Sequence, residues 1–449
     1  MNLTRSMVML DQLILGVRSS IRRGFIIAQP QVMSNKYREA INCLNNLQSN
    51  EEYIKHAKIK NNQENNLSEM TKFLQRSGLF LEQLDTLPII HVTGTNGKGS
   101  TCLYCEQILR SHGFKTGFYS SPHLFEVRER IRINGRPISQ QLFTQYFWKI
   151  YNQLEQQKDS SYDMPLYFRF LTILAFHVFI QEKVDVAILE VGIGGEYDCT
   201  NVVRKTEVVA ITPLDIDHTS LLGNTLESIA WNKAGIMKNG ADAFTIPQPD
   251  VVMNVFKQRN IERKCNLHVI EGTKFNGRST RIPEHIQKTN VSLAMAISES
   301  FMKKWYSKNN NNNTNLIAKS FDGNLAKRSI ENARWPGRYE IIPKLNCMLY
   351  LDGAHTVDSM TVCVNWFISK TQLEQGSQKV LIFNVIGERS AEQLLKLLMI
   401  CKFDSVIFVP NVGDDSENNP GRIKFLNTLY SFVVSHEHIR LQINLCSLL

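Results

Sequence analysis

The chain has 449 residues, of which 43% are hydrophobic and 21% charged, and its formal net charge is +9. This length allows two domains with separate cores, and the composition excludes extensive disorder. Since no apolar run reaches the roughly 18 residues that a spanning helix needs, we expect no stable membrane insertion. Without a dense basic stripe, the charge favours anionic small molecules over nucleic acid. Nine cysteines without framework spacing indicate a reducing compartment.

The first 32 residues differ in composition from the rest of the chain. They carry four arginines against one acid, Asp11, with apolar residues at helical spacing. This pattern is typical of a mitochondrial transit peptide, with an untargeted tail as the alternative. Met33 is a second possible start that would give a cytosolic form. We therefore expect mitochondrial and cytosolic protein, with any membrane association peripheral.

Strand and helix patterns then alternate along the chain. Helices are predicted at Tyr37–Leu47, Leu67–Ser77, Thr101–His112, Phe143–Gln157 and Phe170–Gln181. Apolar runs that fit buried strands lie at Leu87–Val92, Thr116–Ser120, Val184–Val191 and Glu207–Thr212. This alternation predicts an α/β fold whose N-terminal P-loop mononucleotide-binding domain has a parallel-rich sheet.

A run of five asparagines within Lys308–Thr314 indicates a linker or surface loop. Beyond it, strands are predicted at Met348–Leu351, Val380–Val385 and Ser405–Val409, with helices at Ser359–Lys370 and Ala391–Cys401. These elements predict a smaller, Rossmann-like C-terminal α/β domain. We place the domains at residues 33–325 and 326–449.

The stretch HVTGTNGKGST, His91 to Thr101, lies between a predicted strand and a predicted helix. It lacks the four-residue spacer of the common G-x-x-x-x-G-K-[ST] loop. Glycines still allow backbone N–H groups to face phosphate oxygens, and the helix N-terminus adds partial positive charge. Lys98 can reach the outer phosphates, so we interpret this stretch as a phosphate loop.

Polar side chains come after other predicted strands, where an α/β sheet binds its ligands. Glu190 ends one strand, Asp217 and His218 follow the next, and Ser121 follows the strand after the loop helix. His218 fits either a metal ligand or a structural histidine, and Lys233 either a phosphate contact or a solvated charge.

Two further segments allow more than one interpretation. The alternating VRERIRI run, Val127–Ile133, predicts a surface strand that exposes Arg130 and Arg132. In the second domain, WPGR ends at Arg338 and LDGAHT contains Asp352. Arg338 can fork onto phosphate, although a plain proline–glycine turn explains WPGR equally well.

Together these motifs resemble the folylpolyglutamate synthase family, ATP-dependent amide ligases related to the Mur ligases. The resemblance is carried in order by HVTGTNGKGST, YSSPHL, RERIRING, LEVGIGGEYDCTNVV, DIDHTSLLGNTLESIAWNKAGIMK, WPGR and LDGAHT. It implies that ATP phosphorylates the γ-carboxylate of a folate and that L-glutamate then displaces phosphate to form an amide. Implied partners are reduced folate, L-glutamate and ATP, with a monomeric enzyme.

The resemblance also implies roles for individual residues. Those implied to bind the nucleotide are Gly97, Lys98, Gly99, Ser100, Asn290, Arg338 and Asp352. Those implied to hold Mg²⁺ are Ser121, Glu190 and His218, and a monovalent cation such as K⁺ is compatible with the site. Asp198 matches a pterin-contacting position, His355 lies near the incoming glutamate, and Lys233 matches a lysine often carbamylated in the family. Lys98, Lys233 and His355 are the implied catalytic residues.

Two departures qualify this assignment. The segment PEHIQKTN, Pro283–Asn290, is irregular against the family's G-x-H-Q-x-x-N pattern. The chain also ends at Leu449, before further strands and helices expected from the family, which predicts a shortened second domain with weaker glutamate binding. Alternative functions are dihydrofolate synthase, which adds the first glutamate to dihydropteroate, and an inactive protein that binds ATP or folate.

Overall fold

The computed structural model describes residues 34–47, 65–124, 126–159, 163–272, 286–309, 320–343, 347–372, 377–385 and 389–409. The predicted transit peptide, the Met33 start and the chain after residue 409 lie outside these ranges. Within them, no helix is both long and apolar enough to cross a membrane.

One eight-stranded sheet organises the first lobe. Its strands are β1 (Ile89–Thr93), β2 (Thr116–Tyr119), β3 (Ile131–Ile133), β4 (Arg136–Pro137), β5 (Val186–Glu190), β6 (Val208–Ile211), β7 (Asp242–Thr245) and β8 (Asn266–Val269). Their spatial order is β4-β3-β2-β5-β1-β6-β7-β8. All neighbours from β2 to β8 pair in parallel, whereas β3 and β4 pair antiparallel at one edge. The predicted parallel-rich sheet is confirmed.

Helices cover both faces of this sheet. They are α1 (Asn35–Asn46), α2 (Asn66–Arg76), α3 (Leu81–Leu84), α4 (Lys98–Ser111), α5 (Gln140–Gln156), α6 (Tyr167–Gln181), α7 (Thr219–Leu222), α8 (Leu226–Ala234), α9 (Asp250–Arg263), α10 (Ser292–Asn309) and α11 (Gly323–Glu331). Strand alternation places Ile89 in the core with α5 and α6, and Ile90 and Val92 in the core with α4 and α10. Buried apolar side chains on both faces explain the continuous apolar strands.

Helix α4 begins at Lys98, three residues before the predicted start at Thr101. Gly97 has φ +86°, which a glycine adopts without strain and which turns the chain from loop to helix. The phosphate-loop lysine therefore opens the helix. Cys102 and Cys105 are both fully buried in α4.

The predicted surface strand at Val127–Ile133 is wrong in part. Val127–Arg130 forms a 3₁₀ helix, and the strand β3 covers only the last three residues. Arg130 and Arg132 are 7% and 8% exposed. The alternation misled because both arginines turn inward and line a cleft rather than facing bulk solvent.

The second lobe is a smaller α/β unit. Its elements are β9 (Glu340–Pro343), β10 (Met348–Leu351), α12 (Val357–Thr371), β11 (Val380–Phe383), α13 (Ala391–Leu398) and β12 (Ser405–Phe408). Strands β9 and β10 pair antiparallel, while β11 and β12 pair in parallel. Its core lies between α12, α13 and β11.

The chain passes between the lobes just after α11. That helix contains residue 325, and its Ala326 and Ile330 are buried in the first-lobe core beside α4. Trp335 packs against the same core, and its ring centroid lies 5.8 Å from that of Phe118. The first lobe thus holds the chain up to the WPGR segment.

Candidate active site

A cleft of about 940 Å³ lies between the lobes, at the carboxyl ends of β1, β2, β5 and β6. Its walls include the phosphate loop and the segments after these strands, together with the WPGR and LDGAHT segments of the second lobe. All thirteen predicted site residues line this one cleft: Gly97, Lys98, Gly99, Ser100, Ser121, Glu190, Asp198, His218, Lys233, Asn290, Arg338, Asp352 and His355.

The phosphate loop is held on two sides. The backbone N–H groups of Thr95 and Asn96 both donate to the carbonyl of Pro213, each at 3.1 Å. A Cβ on Gly97 would lie 2.5 Å from the Asn290 side-chain oxygen. Asn290, which the sequence predicted to contact the nucleotide, therefore lies against the loop glycine itself.

The half-buried Lys98 and the buried Lys233 converge on the first glycine of the loop. Lys98 Nζ donates to Gly94 O at 2.9 Å and to Thr95 O at 3.3 Å, and Lys233 Nζ donates to Gly94 O at 2.7 Å. Burial lowers the pKa of Lys98, and burial together with the charge of Lys98 lowers the pKa of Lys233 well below its usual value. Lys233 is thus a buried amine, not a solvated surface charge.

Glu190 faces the start of helix α4. A Cβ on Gly99 would lie 3.3 Å from Glu190 Oε1, and Ser121 donates its backbone N–H to Oε2 at 3.0 Å. Burial raises the pKa of this carboxyl, while the charge of Lys98 opposes the shift. A residue larger than glycine at position 99 would press on the carboxylate.

The residues around Glu190 fit a Mg²⁺ ion. The carboxylate is 5% exposed, and within the described ranges its one hydrogen bond is the Ser121 N–H. No group of three or more His, Cys, Asp or Glu side chains in those ranges could hold a metal by itself. Mg²⁺ usually takes one or two carboxylates and completes its shell with phosphate oxygens and water, so the single buried carboxylate of Glu190 is a ligand of the kind it uses.

Asp217 joins the two lobes. Its Oδ2 lies 3.3 Å from Arg389 Nη2 and 3.8 Å from His355 Nε2, both second-lobe atoms, and 3.5 Å from His218 Nε2. His355 Nδ1 lies 2.8 Å from Gly353 O. Since a carbonyl only accepts, the proton is on Nδ1, which leaves Nε2 as the accepting atom.

The two cleft histidines are neutral near pH 7. Burial lowers the pKa of His218 to about 4, and burial also lowers the pKa of His355. Imidazole must be deprotonated to ligate a metal or accept a proton. Both side chains are therefore already in the neutral form that can ligate a metal or accept a proton.

Asp198 is fully engaged with its own segment. Its Oδ2 accepts from the backbone N–H groups of Gly192 and Ile193, both at 3.1 Å. Its Oδ1 accepts from the backbone N–H and the hydroxyl of Thr200, at 2.9 and 2.5 Å. These four bonds fold the turn that comes after Glu190.

In the second lobe, Asp352 organises the loop that reaches the cleft. It accepts from the backbone N–H of Tyr339 at 2.9 Å and of Ala354 at 2.8 Å. Arg338 crosses the same loop so closely that a Cβ on Gly353 would lie 1.7 Å from its Nη1. The WPGR segment is therefore part of the cleft wall, beyond a simple turn.

Sequence reasoning missed several cleft residues. Arg132 stacks over Trp335 at 5.0 Å, Arg130 donates to His123 Nδ1 at 2.9 Å, and Arg389 reaches Asp217. Arg389 shortly follows a predicted strand, as Asp217 does, so the strand-end rule could have found it. Nothing in the local pattern distinguishes Arg130 and Arg132 from exposed arginines.

Comparison with known proteins agrees with this fold. The Mur ligase middle domain family matches residues 92–320. Bovine mitochondrial folylpolyglutamate synthase is 44% identical over 92% of this chain and 75% of its own length, and the human mitochondrial enzyme is 44% identical over 89% and 72%. The fold is similar to that of Mycobacterium tuberculosis folylpolyglutamate synthase complexed with ADP, with a TM-score of 0.70 and 23% identity over 92% of this chain and 89% of that one.

A further solved structure, a folylpolyglutamate synthase–AMPPCP–folate complex, has a TM-score of 0.66 and 22% identity, covering 91% of this chain and 96% of that one. The two-lobed fold with its phosphate loop thus defines an ATP-dependent ligase of the Mur type. Within that class, the chain belongs to the folylpolyglutamate synthase family.

Proposed function

We propose that this chain adds L-glutamate to the γ-carboxylate of tetrahydrofolate and its polyglutamates, with ATP as the energy source. The observation that supports this most strongly is one cleft that combines a phosphate loop, a carboxylate beside it and a histidine from the opposite lobe. The names of the bovine and human relatives agree with this substrate class.

ATP would lie across both lobes. The N-terminus of α4 and the loop from Gly97 to Ser100 would bind the phosphates, with Lys98 leaving its carbonyl partners for the outer phosphate. Asn290 would contact the nucleotide from beside Gly97, and Arg338 and Asp352 would hold it from the second lobe. Nucleotide binding would thus favour approach of the lobes.

Glu190, the Ser121 hydroxyl and His218 would hold Mg²⁺ against the phosphates. When bound, the ion neutralises charge on the transferring phosphoryl group. Glu190 supplies the negative charge, and the backbone N–H of Ser121 orients its Oε2. A monovalent cation such as K⁺ would be a second, weaker requirement.

The reaction would proceed in two steps. An oxygen of the folate γ-carboxylate attacks the γ-phosphorus, which releases ADP and leaves an acyl phosphate. The glutamate amine then attacks the carbonyl carbon, forms the amide and expels phosphate. His355 Nε2, which carries no proton in the tautomer fixed by Gly353 O, would accept the amine proton.

Two residues have roles that rest on the family resemblance as well as on geometry. The lowered pKa of Lys233 favours its neutral amine, the form that can react with CO₂ to give a carbamate. Asp198 lies on the wall that would meet the pterin. We propose both roles, carbamylation of Lys233 and pterin recognition by the Asp198 segment.

We also propose a domain boundary, a location and an oligomeric state for the protein. We propose that the first domain extends through α11, because that helix packs in the first-lobe core, and that the domain from WPGR onward carries the glutamate site. The relatives named mitochondrial support a mitochondrial form, and initiation at Met33 would add a cytosolic one. We propose a monomer that binds no nucleic acid.

Two experiments test the proposed substrate and chemistry. Purified protein supplied separately with tetrahydrofolate and dihydropteroate should incorporate labelled glutamate only into the former; incorporation mainly into dihydropteroate would make it a dihydrofolate synthase. With ¹⁸O in the folate γ-carboxylate, one labelled oxygen should appear in the released phosphate. Unlabelled phosphate would rule out the acyl phosphate.

A further inference from the structure

His91, the first residue of HVTGTNGKGST, has no role in the proposed chemistry, yet it is a buried polar side chain within the sheet. It lies on β1 at 0% exposure, and its Nε2 is 2.8 Å from the hydroxyl of Thr200, which is also 0% exposed. That hydroxyl is 2.5 Å from Asp198 Oδ1. Three side chains thus connect the central strand to the cleft wall.

The direction of the hydrogen bonds is set by the groups involved. Burial raises the pKa of Asp198, but three backbone N–H groups donate to its carboxylate and favour the ionised form. An ionised carboxylate only accepts, so the Thr200 hydroxyl donates its single proton to Asp198. Its oxygen must then accept from His91, which places the imidazole proton on Nε2. Among the described residues, none is a hydrogen-bond partner of His91 Nδ1, which agrees with its being the unprotonated nitrogen of a neutral ring.

Asp198 has little capacity left for a ligand. A carboxylate offers about four lone-pair positions, and here four donors from Gly192, Ile193 and Thr200 occupy them. A substrate N–H would have to displace one of these donors. The carboxylate is therefore better placed to shape the turn than to receive the substrate directly.

We propose that His91 and Thr200 are positioning residues that fix Asp198 as a brace of the Gly192–Ile193 turn and thereby set the folate-binding wall of the cleft. This rests on the proposed function and changes the role of Asp198 from direct contact to support. The brace also begins two residues after Glu190, so it ties the folate wall to the strand that presents the proposed metal ligand.

Paired variants of Thr200 test this with steady-state kinetics. Thr200→Val keeps the shape but removes the hydroxyl, and it should raise the folate KM roughly 10-fold while kcat and the ATP KM stay within about 2-fold. Thr200→Ser retains the hydroxyl and should be close to wild type. The proposal would be overturned if Thr200→Val left the folate KM unchanged or if Thr200→Ser raised it equally. A change of kcat and of the ATP KM as large as that of the folate KM in Thr200→Val would also overturn it.

His91 and the backbone give independent measurements. His91→Gln can keep a donor near the Nε2 position and should be milder in folate KM than His91→Leu; equal effects contradict the assigned tautomer. Hydrogen exchange at the Gly192 and Ile193 amides should accelerate about 10-fold in Thr200→Val and stay unchanged in Thr200→Ser. This readout needs no turnover, so absent wild-type activity would refute the proposed function alone, whereas unchanged exchange would refute the brace.

Discussion

The two lobes build their parts of the cleft in different ways. The first lobe presents Glu190 from a strand of the large sheet and Lys98 and Lys233 from helices packed against it, and burial shifts the pKa of all three. The second lobe presents Arg338, Asp352 and His355 from loops beside two-stranded sheets. The groups proposed for phosphate chemistry therefore lie on elements of the large sheet and its helices, while those proposed to meet the amine lie on loops of the smaller lobe.

Removal of Lys98 should have the largest effect. Lys98→Ala removes the charge at the start of α4, and we expect folate- and glutamate-dependent ADP release to fall at least about 1,000-fold. Lys303→Ala, an exposed change on α10, is the matched control and should retain activity. Substantial ADP release by Lys98→Ala would show that Lys98 of the first lobe is not needed for phosphoryl transfer.

Substitution of His355 should separate the two half-reactions. His355→Ala removes the proposed base, and kcat should fall roughly 100-fold. Positional isotope exchange in ATP, measured with folate but without glutamate, should persist because acyl phosphate formation relies on the first lobe. Loss of this exchange in His355→Ala would show that the lobes do not divide the chemistry.

Acid should destabilise the first lobe through its buried histidines. His177 is 4% exposed, its Nε2 lies 2.9 Å from Ser77 Oγ, and burial lowers its pKa from 6.5 to about 4. Between these values the unfolded chain binds the proton and the folded chain does not. Stability contributed by neutral His177 is therefore full above pH 6.5 and declines as the pH falls towards 4.

We expect His177→Gln to reduce the loss of unfolding free energy between pH 7 and pH 5 by about 2 kcal/mol. Urea denaturation followed by circular dichroism at both pH values measures it. His268→Gln, at a side chain 46% exposed, is the control. If the unfolding free energy of His177→Gln depended on pH as that of the wild type does, His177 would not be a source of the acid sensitivity.

The sequence predicted the first lobe better than the contacts between lobes. Glu190 and the phosphate loop are local features, because a strand and a following turn place them at the sheet edge. The meeting of Asp217 with Arg389 spans 172 residues and depends on how the lobes pack. The burial of Arg132 was not predicted because its partner, Trp335, lies in the WPGR segment about 200 residues away. Local periodicity carries no information on that stacking.

Substitution of Trp335, in the WPGR segment, should have the smallest kinetic effect. Trp335 lies between Arg132 and Gly99, so it connects the WPGR segment to the helix that carries Lys98. Trp335→Phe retains an aromatic face and should raise the ATP KM about 5-fold, and Trp335→Ala should raise it more. Equal ATP KM values in wild type and both variants would show that Trp335 does not influence ATP binding at the phosphate loop.

A folate–glutamate ligase must couple ATP cleavage to amide formation. ADP release should be measured with the purified chain, ATP, Mg²⁺, tetrahydrofolate and labelled L-glutamate, omitting one component at a time. We predict sustained ADP release only with the complete mixture, at one ADP per glutamate incorporated. Sustained ADP release without glutamate, or without incorporation of label, would contradict a folate–glutamate ligase.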